Sequence, residues 1–238
     1  MQNAIITGGA AGIGRGIAVR LAQEGYKVSL IDKDKDAGQK TRDEINTQIG
    51  PAHFFECDVT NLTKLSKLIH SISKDLGTIS VFVNTAGGVG DICFPDVETE
   101  IWSTTIDLNL KTVMQGIQSS MKEMKNGGDI INISSFAGVG SQPHDSPKYA
   151  ASKAAIIRLT TSISDTLIQH DIKINTICPG WVDTPASRKT RENMDSREIP
   201  EKILSPDDIA EQVMGFINDN KTGRVVVWKE DEQPYDLD

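Results

Sequence analysis

Runs of four to six residues rich in Ile and Val, at 4–7, 27–32, 53–58, 79–84, 129–134, 173–178 and 224–228, alternate with longer stretches whose apolar residues recur at helical spacing, at 12–24, 34–48, 62–75, 100–125, 149–170 and 206–218. Near-continuous apolar strands separated by amphipathic helices predict an α/β fold: a doubly wound, seven-stranded, mostly parallel sheet with helices on both faces. At 238 residues the chain is long enough to bury a large core without a disulfide or metal staple, and a single domain spanning 1–238 is expected.

The composition narrows the partners. Twenty-five Lys and Arg against 33 Asp and Glu give a net charge of −8, with no concentrated basic face, which argues against nucleic acid. No apolar run approaches membrane-spanning length and the first residues lack a signal-peptide pattern, so a cytoplasmic protein with no membrane partner is expected. Three cysteines without a C-x-x-C pair fit a reducing compartment. The four histidines have no metal-ligand spacing, and no metal is predicted.

The first strand runs directly into Thr7-Gly8-Gly9-Ala10-Ala11-Gly12-Ile13-Gly14 and then into a helix. In that setting Gly8, Gly12 and Gly14 permit a tight turn and close backbone approach, while the helix start at Gly12 and Ile13 offers free N–H groups and a positive dipole end to a pyrophosphate. Asp32, 18 residues past Gly14 and closing the second strand, can accept hydrogen bonds from both ribose hydroxyls and repels a 2′-phosphate. NAD is therefore expected, with NADP the less favoured nucleotide. Lys33 and Arg15 are the groups that could oppose this, and a plain helix cap is the alternative role for Asp32.

Tyr149 and Lys153 lie four residues apart and share one helix face, where an ammonium can lower the phenol pKa from about 10 toward the working pH. On its own such a pair reads more often as a solvated helix face. The set formed by TGGAAGIG, Asn84-Thr85-Ala86-Gly87, Asn109, Ser134-Ser135, Tyr149-Ala-Ala-Ser-Lys153 and Pro179-Gly180-Trp-Val182-Asp-Thr184, in this order, resembles the short-chain dehydrogenase/reductase family.

That resemblance implies a hydride transfer between NAD(H) and a secondary alcohol or ketone. In it Tyr149 is the general acid/base, Ser135 bonds the substrate oxygen, Lys153 binds the nicotinamide ribose, and Asn109 holds a water that links Lys153 to solvent. It also places Asp58 and Val59 at the adenine, Asn84, Ala86 and Gly87 along the adenosine ribose and site floor, and Pro179, Gly180, Val182 and Thr184 at the nicotinamide. A homodimer or homotetramer is implied through the 100–125 and 149–170 helices. Two alternatives stay open: an NADP(H)-dependent carbonyl reductase, and a dinucleotide-binding sensor without turnover.

The chain departs from the family pattern at Thr85, where a second Asn is usual, and at the last strand, GRVVVWKED, which lacks the Asp-Gly-Gly that commonly follows it. Substrate identity is expected in the least patterned segments, 89–96, 136–148 and 185–204. The last of these is read as a lid or a plain surface loop, and the acidic tail 229–238 as frayed. His144 is read as an exposed loop residue, and Trp181 and Phe94 as candidate walls of an apolar pocket.

Overall fold

The computed structural model describes residues 2–90, 98–192, 194–195, 199–230 and 232–237. Cys93, Phe94 and Arg197, with most of the 89–96 segment, lie outside the described residues.

The strands are β1 (Asn3–Thr7), β2 (Lys27–Asp32), β3 (Ala52–Glu56), β4 (Ile79–Asn84), β5 (Gly128–Ile133), β6 (Ile172–Pro179), β7 (Val225–Trp228) and β8 (Tyr235–Asp236). They form one sheet in the order β3-β2-β1-β4-β5-β6-β7-β8, parallel except for the last pair. The seven expected strands are present and an eighth is added. Its cause is local: Arg224 grips Asp236 with two hydrogen bonds of 2.9 Å, holding part of the expected frayed tail antiparallel to β7.

The helices are α1 (Gly12–Gln23), α2 (Lys35–Gln48), α3 (Leu62–Leu76), α4 (Thr99–Ile106), α5 (Thr112–Glu123), α6 (Pro147–Ile168), α7 (Pro185–Arg191) and α8 (Pro206–Asn218). Asp34 and Asn61 cap α2 and α3 through their side chains, and a Ser205/Asp208 capping box starts α8, satisfying N–H groups that have no partner within the helix. Alternate β1 residues serve opposite faces. Ile6 packs with Ile17 and Leu21 of α1 and Ile209 of α8, whereas Ile5 packs with Leu65 of α3 and Ile117 of α5. Burial on both sides explains why the strands read as continuous apolar runs.

The 100–125 helix expected as one element is interrupted by a π-turn, Asp107–Lys111, between α4 and α5. The strand order reverses between β1 and β4, so connections leave in opposite directions and open a crevice at the carboxyl ends of the strands. No described helix is long and apolar enough to cross a membrane.

Candidate active site

The glycine turn lies at that crevice. Gly8 and Gly12 have φ of +66° and +53°, a region that disfavours side chains. A Cβ on Gly8 would lie 2.9 Å from the Ala86 nitrogen, and one on Gly14 would run into the Gly8 carbonyl. The first strand-to-helix turn is thus pressed against the exit of β4, a contact strengthened by Thr7, whose hydroxyl accepts from the Thr85 and Ala86 N–H groups at 3.3 and 3.4 Å. Thr85 returns the contact by donating to the Thr7 carbonyl, so the departure from a second Asn is used structurally. Ala11, at the N-cap of α1, provides no side-chain cap. The first N–H groups of α1, including those of Gly12, Ile13 and Gly14, therefore face the turn uncovered by a side chain.

Asp32 reaches the same turn. One carboxylate oxygen accepts from the Ala10 N–H at 3.1 Å and the other from the Asp34 N–H at 3.1 Å. The cap of α2 is Asp34, not Asp32, which removes the alternative role. A carboxylate with about four acceptor positions retains capacity for further donors. Asp58 is exposed and accepts from the Thr60 N–H and hydroxyl at 3.0 and 2.7 Å, while Val59 is buried behind it. Those hydrogen bonds hold the Asp58 carboxyl below its usual range.

Asn84 lies at the carboxyl end of β4. Its side chain donates to Asn132 at 2.9 Å inside the sheet, which leaves its backbone to the crevice. Gly87 is the junction: a Cβ there would lie 2.9 Å from the Asn109 oxygen and 3.3 Å from Lys153 Nζ. Asn109, on the π-turn and fully buried, accepts from the Gly88 N–H at 2.9 Å and donates to the Gly88 carbonyl at 2.9 Å and the Ser152 hydroxyl at 3.1 Å. All three contacts are with protein groups, so the side chain clamps the β4 exit to α6. Ser152 was not singled out from the sequence, where nothing ties it to an Asn 43 positions earlier.

Ser135, Tyr149 and Lys153 come together at the ends of β5 and α6. The Ser135 hydroxyl lies close enough to that of Tyr149 to influence its titration, and Lys153 Nζ lies 5.7 Å from the Tyr149 ring centroid. Burial raises the phenol above its ordinary value, only partly offset by Ser135. Lys153, whose Nζ donates to the Ile133 carbonyl at 3.0 Å, adds no lowering, because burial leaves it neutral at the high pH where this phenol ionises. Burial also brings Lys153 down to about 8 and pushes the neighbouring Cys178 thiol up to about 12. Ser134 is buried and donates to the Lys153 carbonyl at 2.8 Å. That is the packing role expected of the first serine. His144 is not a free loop residue. Its ring lies 5.8 Å from that of Tyr149 and its Nδ1 accepts from the Ser146 N–H at 3.0 Å.

The segment after β6 closes the far side. Thr184 caps α7 by accepting from the Ser187 N–H at 3.1 Å, and a Cβ on Gly12 would lie 3.0 Å from its methyl group. Val182 is buried and pairs with Leu204. The 185–204 segment therefore begins as a helix, α7, beside the glycine turn. Pro179 ends β6, and over Gly180 and Trp181 lies Glu230, whose carboxylate accepts from the Trp181 N–H. Neither Glu230 nor its neighbour Lys229 carried a sequence signal beyond the missing Asp-Gly-Gly.

The chain is similar to known proteins. The family model described as short chain dehydrogenase matches residues 2–195. A dehydrogenase/reductase SDR family member 6 from Aquarana catesbeiana is 34% identical over 228 residues, covering 95% of this chain and 84% of that protein. Among solved structures, a 7α-hydroxysteroid dehydrogenase complexed with NADH and 7-oxo glycochenodeoxycholic acid superposes with a TM-score of 0.88 at 29% identity, over 95% of this chain and 92% of that one. A single-substitution variant of actinorhodin polyketide ketoreductase with NADPH gives 0.87 at 25% identity, over 96% of each chain. A glycine turn joined to a Ser-Tyr-Lys cluster, matched along most of its length, makes the chain a member of the short-chain dehydrogenase/reductase family of oxidoreductases.

Proposed function

We propose that this chain transfers a hydride between NAD(H) and a secondary alcohol or its ketone, with Tyr149 as the general acid/base. The observation that carries the proposal is the continuous path from the glycine turn through Ala86, Gly87 and Asn109 to Lys153 and Tyr149. A nucleotide held by the turn at one end would be held by Lys153, beside the phenol, at the other. The chain fits that group: the turn is a cradle that Cβ atoms would fill, the N-terminus of α1 carries no side-chain cap, and Asp32 stands beside it with spare acceptor capacity.

Bound there, the nucleotide supplies or accepts the hydride. The Tyr149 hydroxyl gives its proton to the carbonyl oxygen during reduction, or takes the hydroxyl proton during oxidation. Ser135 donates to the same oxygen and stabilises its developing charge. Lys153 holds the nicotinamide ribose hydroxyls, while Val182 and Thr184 border the carboxamide and Asp58 and Val59 the adenine. NAD rather than NADP is supported by Asp32, and by Arg15, whose guanidinium is drawn 2.8 Å from Glu44. A homodimer or homotetramer is supported by the apolar face shared by α5 and α6, where Met114, Met121, Leu159 and Ile163 line a groove and Met114 is 42% exposed.

The test is incubation with NAD⁺ and a panel of secondary alcohols, and with NADH or NADPH and the matching ketones, followed by nucleotide absorbance. Turnover with NAD(H) that Tyr149→Phe abolishes supports the proposal. Turnover confined to NADPH gives the carbonyl-reductase alternative, and binding without turnover gives the sensor.

A further inference from the structure

We propose that Glu230 makes the site discriminate between the oxidation states of its nucleotide, holding the cationic oxidised nicotinamide more tightly than the neutral reduced one. This rests on the nucleotide reading above and extends it to a residue outside the family motifs.

The placement follows from the sheet. Strands β6 and β7 run parallel with Pro179 opposite Trp228, and the Gly180 N–H donates to the Trp228 carbonyl at 2.9 Å. Chain leaving β7 therefore starts beside the turn that leaves β6. That turn adjoins the Ser135 end of β5, since Ser134 N–H donates to the Ile177 carbonyl at 2.9 Å and Cys178 lies within electrostatic reach of Lys153. A ring exchanging hydride next to Tyr149 has these two strand exits as its walls.

Glu230 is fixed on that wall. Its carboxylate accepts from the Trp181 N–H and fills the space over Gly180, where any Cβ would run into it. The peptide beyond it is tied down again by β8 and the Arg224–Asp236 pair, so the charge is held from both sides. Lys229 turns toward the Ser135 side of the wall, with Nζ 4.9 Å from the Phe136 ring centroid, and its charge is shared with Glu232 at 3.4 Å. A fixed, half-buried anion attracts a ring only when the ring is charged, and costs no reorganisation to do so.

The experiment measures dissociation constants of NAD⁺ and NADH by calorimetry for the wild type, Glu230→Gln and Glu230→Asp. Gln keeps an acceptor for Trp181 but removes the charge. The ratio of the NAD⁺ to the NADH constant is expected to rise about fivefold in Glu230→Gln and to stay within about twofold in Glu230→Asp. Raising the salt concentration should shift the wild-type ratio in the same direction as the Gln variant. That arm needs no variant at all. Equal weakening of both forms in Glu230→Gln, or a ratio indifferent to salt and substitution, identifies Glu230 as a structural strap and overturns the inference. A wild type that binds neither form overturns the nucleotide reading itself, and this inference with it.

Discussion

Replacing Asn109 by Ala removes three hydrogen bonds of a buried side chain at once: two to the half-buried Gly88 peptide at 2.9 Å and one to the buried Ser152 hydroxyl at 3.1 Å. At about 1 kcal/mol for each, the loss comes to about 3 kcal/mol. In a chain of 238 residues this lowers the unfolding midpoint by about 6 to 12 °C. Ser152→Ala deletes only the last of these, along with its own bond to the Tyr149 carbonyl at 2.7 Å, and should cost about a third to two-thirds as much. The double variant should fall short of the sum by about 0.5 to 1 kcal/mol, since the two side chains share one bond. Thermal and urea unfolding followed by circular dichroism measure all three. An Asn109→Ala protein melting within about 2 °C of wild type, or strictly additive effects, would refute the clamp.

Other expectations concern the chemistry. Tyr149→Phe should reduce turnover by about 10²- to 10⁴-fold while the NADH dissociation constant stays within about twofold; an active variant removes Tyr149 from the proton transfer. Asp32→Ala should narrow the NADH over NADPH preference by about tenfold, read from the two dissociation constants, and an unchanged ratio removes the role given to this carboxylate. Lys153, brought down to about 8 from an ordinary 10.5, binds its proton less firmly folded than unfolded. The cost of burying its charge is therefore full below pH 8 and disappears between pH 8 and 10.5, so that stability contributed by this group rises across that window. NADH affinity should fall across a lower range, centred on about pH 8, where the folded chain loses the ammonium. Lys153→Met should flatten both trends, and a wild type whose NADH affinity is constant from pH 7 to 10 contradicts the assignment.

Much of the fold was legible because parallel strands buried on both faces advertise themselves as Ile and Val runs, as at 79–84 and 129–134, with Asp, Asn and Ser caps between them. The short eighth strand was not, since Tyr235–Asp236 has no apolar pattern and pairs only because Arg224 holds Asp236. Within the site, the glycine turn, Asp32, Ser135, Tyr149 and Lys153 carried local signals of spacing and residue type. Ser152 and Glu230 carried none: their partners lie 43 and 49 positions away, and only the packing of α6 on the π-turn and of the β7 exit on the β6 exit brings them together. Asn84 shows the converse, a motif residue whose side chain serves the sheet interior. The direction of the Tyr149 shift was also beyond sequence reasoning, because four-residue spacing gives proximity to Lys153 but not the burial that raises the phenol and lowers the ammonium together.

The most direct measurement is a titration of the purified protein with NADH and, separately, NADPH, followed by quenching of its three tryptophans. A nicotinamide nucleotide site with Asp32 at its ribose predicts saturable quenching by NADH at concentrations about tenfold or more below those needed for NADPH. Tighter binding of NADPH, or saturation by neither nucleotide, would contradict it.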